Sequence, residues 1–193
     1  MCGTVLDNQQ RSVMEKKTIT FGGGCFWCTE AIFQETPGVL EIESGFSGGF
    51  IKNPPYREVR TGRTGHAEVI RLTYDAGEVS LEDLLSIHLA THDPTTPDRQ
   101  GADKGSQYRS IILYGDEQER QTAERVISIM ADAFESPIVT ELKPFEAFYK
   151  AEEEHQNYYR DNPDAFYCQA VITPKLARYR ELREVLQRHS ARQ

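Results

Sequence analysis

A short cysteine-containing stretch carries the residue types best suited to chemistry. A strand-like run at residues 18–21 leads into three glycines at 22–24, and a helical pattern begins at Cys25. Glycine tolerates positive φ, so the chain can turn sharply there. The first turn of a helix holds unpaired N–H groups and the positive end of the helix dipole, which stabilise an anion. The pattern predicts a reactive thiolate at Cys25, flanked by Phe26 and Trp27.

The other three cysteines have more than one interpretation. Cys28 completes a Cys-x-x-Cys pair with Cys25 on one helical face, which permits a disulfide but is equally compatible with a structural thiol. Cys168 follows two aromatic residues, and either returns to Cys25 to resolve an oxidised form or packs in the core. Cys2 lies in a polar segment and is expected to be an exposed thiol with no role.

Glu68 is the candidate general acid. It lies near the start of an alternating strand, on the same face as Ile70 and Leu72. A carboxyl in apolar surroundings has a raised pKa and can hold its proton near neutral pH, as a general acid must. The alternative is an exposed carboxylate at a sheet edge.

Four further polar residues are candidates beside long loops or in the charged segment that follows them. Tyr56 and Tyr108 can donate hydrogen bonds, although packed aromatic residues are more usual. Asp103 lies among glycines, where an Asx turn is the simpler explanation. His155 reads as an exposed or capping histidine. The cysteine and histidine spacing lacks a second metal-binding pair, so no metal site is predicted.

The elements that must position these residues follow from periodicity and capping signals. Strands are predicted at 18–21, 39–46, 66–74, 108–114 and 138–142, and the principal helices start near residues 25, 80, 116 and 174. Long Gly- and Pro-rich loops span 47–65 and 92–107, and loops of this length are often functional. We expect these loops and the C-terminal segment to build the site.

The order of elements predicts an α+β fold with a ferredoxin-like split β-α-β core, long functional loops and a C-terminal extension. The polar, aperiodic residues 1–16 are predicted to be a mobile N-terminal arm. Residues 17–193 are predicted to form a single catalytic domain, which is an ordinary size for one core.

Composition narrows the classes of function. Among 193 residues, no apolar run approaches the ~20 residues of a membrane span, so no membrane association is predicted. A formal charge of −8 argues against binding to a nucleic-acid backbone. The N-terminus lacks the pattern of a secretory signal, which predicts a cytoplasmic location. Four cysteines in such a chain favour chemistry over a disulfide framework.

Several motifs, in order, resemble the A-type peptide methionine sulfoxide reductases, which act on the S epimer of the sulfoxide. The nucleophile motif is Gly24-Cys25-Phe26-Trp27, and the resemblance spans roughly residues 17 to 180. The further segments with a counterpart in that family lie at residues 53–59, 64–69, 92–110 and 148–156. The family motif commonly continues with glycine where this chain has Cys28.

The resemblance implies a role for each candidate residue. Cys25 would attack the sulfoxide sulfur and become a sulfenic acid, and Glu68 would protonate the sulfoxide oxygen. Tyr56 and Tyr108 would donate hydrogen bonds to that oxygen. The residues implied on the substrate side are Phe26 and Trp27, which hold the methyl group, with Asp103 near the methionine backbone and His155 in the later segment.

Recycling of the enzyme requires a second thiol and a reductant. The resemblance implies that Cys168 resolves the sulfenic acid as a disulfide, which thioredoxin then reduces, with no bound cofactor. Cys28 remains the alternative, either as the direct resolver or as a thiol that takes the disulfide over from Cys168. Two rival functions are a dithiol carrier that uses Cys25 and Cys28 alone, and a metal- or redox-sensing module.

Overall fold

The structure, a computed structural model, describes residues 13–190. Cys2 and most of the predicted mobile arm, residues 1–12, lie outside the described residues. Strand β1 begins at Lys16, the last residue of the predicted arm. In the described part, the strands are β1 (Lys16–Gly22), β2 (Val39–Ser47), β3 (Ala67–Asp75), β4 (Arg99–Gln100), β5 (Asp103–Lys104), β6 (Ile111–Tyr114), β7 (Glu141–Pro144) and β8 (Phe148–Lys150). The α-helices are α1 (Phe26–Gln34), α2 (Tyr56–Val59), α3 (Leu81–Thr91), α4 (Glu117–Met130), α5 (Tyr158–Asp161) and α6 (Thr173–Ser190).

Six strands form one sheet in the order β7-β6-β1-β3-β2-β8, while β4 and β5 pair as a separate hairpin. The pairs within the large sheet are antiparallel, except that β7 runs parallel to β6. The fold is therefore mixed α+β. Strand β3 lies between β1 and β2, so its backbone is paired with a neighbouring strand at both edges.

The main core lies between this sheet and the helices. Strand side chains such as Phe21, Ile70 and Leu72 pack there against Ile32 and Phe33 of α1. Each large apolar side chain that is fully removed from water contributes roughly 1.5–3 kcal/mol before the entropy cost of ordering it. Residue Glu68 shares the strand face of Ile70 and Leu72, as the alternation predicts, so it enters the core from the sheet.

Two helix starts follow the capping signals in the sequence. Ser80 Oγ accepts the N–H of Asp83 at the start of α3, and Asp116 Oδ1 accepts the N–H of Glu119 at the start of α4. Each side chain satisfies one of the free N–H groups of a first turn. These two predicted starts are confirmed.

The segment at 108–114 is only partly a strand. Strand β6 begins at Ile111, and Tyr108 instead ends a 3₁₀ turn at Ser106–Tyr108. Gly105 has φ of 137°, which starts that turn, and the Tyr108 N–H donates to the Gly105 carbonyl over 3.0 Å. The predicted strand was too long because the local turn competes with pairing. The fifth predicted strand is also shifted, to Glu141–Pro144.

The C-terminal part covers α1. Strand β8 pairs with β2, and 3₁₀ turn Glu153–His155 then leads to α5. A π-helical turn at Cys168–Ile172 runs directly into α6, and both pack against α1. In the described part of the chain, no helix is long and apolar enough to cross a membrane.

Candidate active site

Cys25 is presented by a tightly packed glycine turn. A Cβ atom at Gly22 would lie 2.2 Å from the Glu68 carbonyl oxygen, and one at Gly23 would lie 2.6 Å from the His92 ring. Gly24 has φ of 87°, which favours glycine, and its N–H donates to the Tyr108 carbonyl over 3.1 Å. Cys25 follows with extended backbone as the N-cap residue of α1.

The thiol of Cys25 is buried, with 7% of the residue exposed. Burial raises its pKa well above the ordinary value, and the thiol of Cys28 and the charge of Glu68 add to the increase. The backbone N–H of Trp27 acts in the opposite direction and lowers the pKa. The sequence predicted that the helix start would favour a thiolate; in the free protein desolvation outweighs it, so Cys25 rests as a thiol.

Glu68 holds a proton near neutral pH. Only 1% of the residue is exposed, and burial raises its pKa to about 8. Oε2 accepts the backbone N–H of Phe26 over 3.0 Å, whereas buried Oε1 has no partner among the described residues. The nearby Cys25 side chain acts in the opposite direction to burial and lowers the pKa of this carboxyl. A neutral acid and a thiol therefore share one buried site.

Tyr56 and Tyr108 reach the same site from the two long loops. Burial, followed by the charges of Glu68 and Cys25, raises the pKa of both hydroxyls, for Tyr108 to about 12. Tyr56 is the first residue of α2, and its ring stacks on Phe26 with 6.1 Å between centroids. Both hydroxyls keep their protons at ordinary pH and can act as hydrogen-bond donors.

Five rings form what we call the aromatic cluster: Phe26, Trp27, Tyr56, His155 and Tyr158. Trp27 stacks on Tyr158 at 3.7 Å and 8°, and its Nε1–H donates to His155 Nδ1 over 3.3 Å. His155 also lies 4.1 Å from the Tyr56 ring. Because Trp27 stays half-buried, the cluster offers an apolar aromatic surface beside Cys25.

The environment of His155 is therefore not that of the exposed or capping residue that the sequence predicted. Only 5% of it is exposed, and burial lowers its pKa, so its ring is neutral at neutral pH. Neutral Nδ1 can accept the Trp27 hydrogen bond only when the proton lies on Nε2.

Asp103 reaches the site through Tyr167. The Tyr167 hydroxyl donates to Asp103 Oδ2 over 2.8 Å, and the Tyr167 hydroxyl oxygen also lies 3.7 Å from Cys28 Sγ. The Tyr167 ring also meets Trp27 edge-on, with 5.8 Å between centroids. The Asx-turn explanation of Asp103 misses this contact, which joins β5 to the C-terminal segment.

The three cysteines of the described range have free thiols. Interaction with the neighbouring Cys25 side chain lowers the pKa of the Cys28 thiol to about 7. Cys168 is fully buried in the π-helical turn, and burial followed by the charge of Cys28 raises its pKa. Cys28 is thus the neighbour of Cys25, and Cys168 lies on the Cys28 side.

The structure brings the predicted residues into one region and adds two that the sequence analysis passed over. Tyr158 and Tyr167 have no motif of their own; the only signals were the aromatic, charged run before residue 160 and the aromatic pair before Cys168. Within residues 13–190, no group of three His, Cys, Asp or Glu side chains is placed to hold a metal ion.

Known proteins match this chain over most of its length. The family model described as peptide methionine sulfoxide reductase matches residues 17–187. A protein of Halobacterium salinarum named peptide methionine sulfoxide reductase MsrA is 50% identical over 170 residues, which cover 87% of this chain and 96% of that protein. The Deinococcus radiodurans protein of the same name is 51% identical over 163 residues, covering 83% of this chain and 79% of that one.

Two solved structures have the same overall shape. Methionine sulfoxide reductase A of Corynebacterium diphtheriae aligns with a TM-score of 0.75 at 39% identity, over 78% of this chain and 77% of that chain. Mxr1 of Saccharomyces cerevisiae in its reduced form aligns with a TM-score of 0.76 at 30% identity, over 80% and 90% of the two chains. This chain therefore belongs to the peptide methionine sulfoxide reductase family and is an oxidoreductase of that class.

Proposed function

We propose that this enzyme reduces methionine S-sulfoxide, free or in proteins, by attack of Cys25 on the sulfoxide sulfur. One observation carries the proposal: the Cys25 thiol and a carboxyl with a pKa of about 8 meet in one buried site. A sulfoxide is a poor electrophile until its oxygen is protonated, so a nucleophilic sulfur beside a neutral acid suits the reaction.

The first step requires only the Cys25 thiol, the Glu68 carboxyl and the sulfoxide, and no cofactor. Glu68 gives its proton to the sulfoxide oxygen, Cys25 sulfur bonds to the substrate sulfur, and the Cys25 thiol proton returns to Glu68. The oxygen then passes to Cys25, so that methionine leaves and Cys25 becomes a sulfenic acid. Tyr56 and Tyr108 donate hydrogen bonds to the oxygen while it gains negative charge.

The aromatic cluster supports a role in substrate binding. Phe26 and Trp27 offer apolar surface for the methyl group of the substrate, and His155 holds the Trp27 indole through its Nε1–H. Asp103 is proposed to accept the backbone N–H of the bound methionine. Asp103 Oδ2 accepts the Tyr167 hydroxyl in the free protein, and the carboxylate has further lone pairs with which to accept that N–H.

For recycling, we propose two successive steps that use the other two thiols. Cys28 attacks the Cys25 sulfenic acid, forming a Cys25–Cys28 disulfide and releasing water. Cys168 then attacks Cys28, which frees Cys25 and leaves a Cys28–Cys168 disulfide. The interaction between the Cys25 and Cys28 side chains supports this order. The order differs from the expectation of the family resemblance, in which Cys168 resolves the sulfenic acid directly. That role of Cys168 remains a prediction.

Thioredoxin is the proposed electron donor for that disulfide. A dithiol protein can reduce it by exchange, taking the disulfide itself and returning two thiols. Saccharomyces cerevisiae Mxr1 has also been solved in complex with Trx2; that structure aligns here with a TM-score of 0.54 at 20% identity, which by itself supports the fold alone. A cytoplasmic location also remains a prediction.

The ferredoxin-like description is retained as a proposal for the core. The strand order β6-β1-β3-β2, with antiparallel neighbours and helices α1 and α3 in the two crossovers, supports it. Strands β7 and β8 would then be additions at the two edges.

Selectivity for the S epimer of the sulfoxide is the sharpest test of the proposed function. Peptides containing either pure S- or pure R-sulfoxide are incubated with the protein and dithiothreitol, and methionine formation is followed by mass spectrometry. Reduction of the S epimer alone is expected, and Cys25→Ser should abolish it. Turnover by Cys25→Ser, or equal use of both epimers, would overturn the proposal.

A further inference from the structure

We propose that Glu30 is a positioning residue that fixes the Trp27 indole, acting through Tyr158. The proposal rests on the proposed function in one respect: Trp27 is taken to contact the substrate. Glu30 itself touches neither Cys25 nor the expected position of the sulfoxide, so its effect has to travel through the aromatic cluster.

Glu30 is a buried carboxylate with two backbone partners. Only 1% of the residue is exposed. Its Oε1 accepts the N–H of Asn157 over 2.8 Å, and its Oε2 accepts the N–H of Tyr158 over 3.2 Å. Asn157 has φ of 54°, in the left-handed region, so the chain bends sharply where these two N–H groups converge. Both carboxylate oxygens are therefore used as acceptors at one bend.

The bend determines where the Tyr158 ring lies. Tyr158 follows Asn157 directly, and its ring stacks face to face on Trp27 at 3.7 Å and 8°. Glu30 and Trp27 are three residues apart on α1 and share one side of the helix. One turn of α1 therefore holds both the anchor of the segment and the indole on which the segment rests.

A second anchor holds the segment between His155 and Tyr158 in place. The side chain of Gln156 accepts the N–H of Ser44 over 2.9 Å and donates to the Ser44 carbonyl over 2.8 Å. The residues on the two sides of Gln156 both contact the Trp27 indole. His155 accepts the hydrogen bond of the indole Nε1–H, and Tyr158 stacks on the face of the indole ring. Glu30 fixes the Tyr158 end of this segment, and Gln156 fixes the His155 end.

The geometry requires a carboxylate and not only a polar side chain. Two N–H donors point at Glu30, and a glutamine of the same shape has one acceptor oxygen and one NH₂ group. Glu30→Gln therefore sets a donor against a donor at Asn157 or Tyr158 and leaves one buried N–H unpaired. The change is nearly isosteric, so it tests the hydrogen bonds with little change in packing.

Trp27 is the only tryptophan in the chain, so its fluorescence reports on the indole directly. In Glu30→Gln we expect a red-shifted emission and stronger acrylamide quenching without substrate. With an S-sulfoxide peptide and dithiothreitol, we expect KM to rise about tenfold, equivalent to about 1.4 kcal/mol, with kcat retained. The matched control is Glu35→Gln, which removes the carboxylate of the C-cap residue of α1, a side chain that instead pairs with Arg180.

A double-mutant cycle separates positioning from a purely structural role. Tyr158→Leu should reproduce the fluorescence and KM changes, and Glu30→Gln combined with it should add little. Additive effects on KM, or a lowered melting temperature with unchanged Trp27 fluorescence and KM, would overturn the proposal. A changed fluorescence with unchanged KM would support the positioning of Trp27 by Glu30 but contradict the proposed contact between Trp27 and substrate.

Discussion

The backbone N–H of Phe26, the residue that follows Cys25, donates to Oε2 of Glu68 over 3.0 Å. This bond ties the acid on β3 to the helix that presents the nucleophile. Because Oε2 accepts a hydrogen bond and Oε1 has no partner among the described residues, the proton of the neutral carboxyl belongs on Oε1. The acid is thus held by one oxygen and keeps the other for the substrate.

Glu68→Gln should lower kcat by about 10²- to 10³-fold, because the variant lacks the proton donor. In the unmodified enzyme, the activity that depends on this proton is present below the Glu68 pKa of about 8 and is lost as pH rises through it. That fall should be absent from the residual activity of the variant. Initial rates from pH 6 to 9 provide the measurement.

Glu41→Gln is the control for this prediction, since it alters an exposed carboxyl on neighbouring strand β2. Its profile should match that of the unmodified enzyme. Identical pH profiles for the unmodified enzyme and Glu68→Gln would count against Glu68 as the acid.

The raised pKa of Glu68 should also affect stability. Above pH 4.5 the unfolded chain releases this proton while the folded protein keeps it until about pH 8. The Glu68 contribution to the free energy of unfolding therefore falls as pH rises across this interval and then levels off. The free energy of unfolding of Glu68→Gln, measured relative to that of the parent, should therefore increase by on the order of 4 kcal/mol between pH 4.5 and 9.

Urea unfolding at several pH values measures this gain. Comparing the two proteins at each pH removes the contributions of other titrating groups, provided that they are unchanged by the substitution. A stability difference that stays constant with pH would contradict the buried, neutral state of Glu68.

Removing either tyrosine hydroxyl should slow the chemical step. Tyr56→Phe and Tyr108→Phe are each expected to lower kcat by about 10- to 100-fold with little change in KM, because the hydroxyls act on charge that develops during reaction. Single-turnover rates with an S-sulfoxide peptide measure the effect. Tyr149→Phe, whose ring lies against His66, should behave like the unmodified enzyme. A rise in KM alone would reassign the two tyrosines to substrate binding.

Cys28 and Cys168 should act in successive steps, so that each variant stops at a different species. Cys168→Ser should complete one reducing turnover and stop with a Cys25–Cys28 disulfide, and its thioredoxin-coupled turnover should be lost. Cys28→Ser should accumulate the Cys25 sulfenic acid, since the contacting thiol is missing. Mass mapping after one equivalent of substrate, with dimedone to trap sulfenic acid, identifies each species.

Undiminished thioredoxin-coupled turnover in Cys168→Ser would leave Cys28 as the only resolving thiol needed. If Cys28→Ser formed a Cys25–Cys168 disulfide as fast as the parent enzyme forms its first disulfide, Cys28 would instead be dispensable. Each outcome contradicts the proposed order of exchange.

Much of the site was predictable from local sequence. The glycine turn before Cys25, the alternation that puts Glu68 on a buried face and the caps at Ser80 and Asp116 all depend on neighbours a few residues away. The motifs with a family resemblance located the loops of Tyr56 and Tyr108. These features need no knowledge of how distant segments meet.

Other properties were decided only by tertiary structure. The protonation state of Cys25 depends on desolvation, and burial by distant segments reverses the local effect of the helix start. The contacts of His155 and Tyr158 with Trp27 join residues more than a hundred positions apart. Periodicity describes one element at a time, so it indicates which residues are reactive, whereas the packing of the C-terminal segment on α1 determines their surroundings.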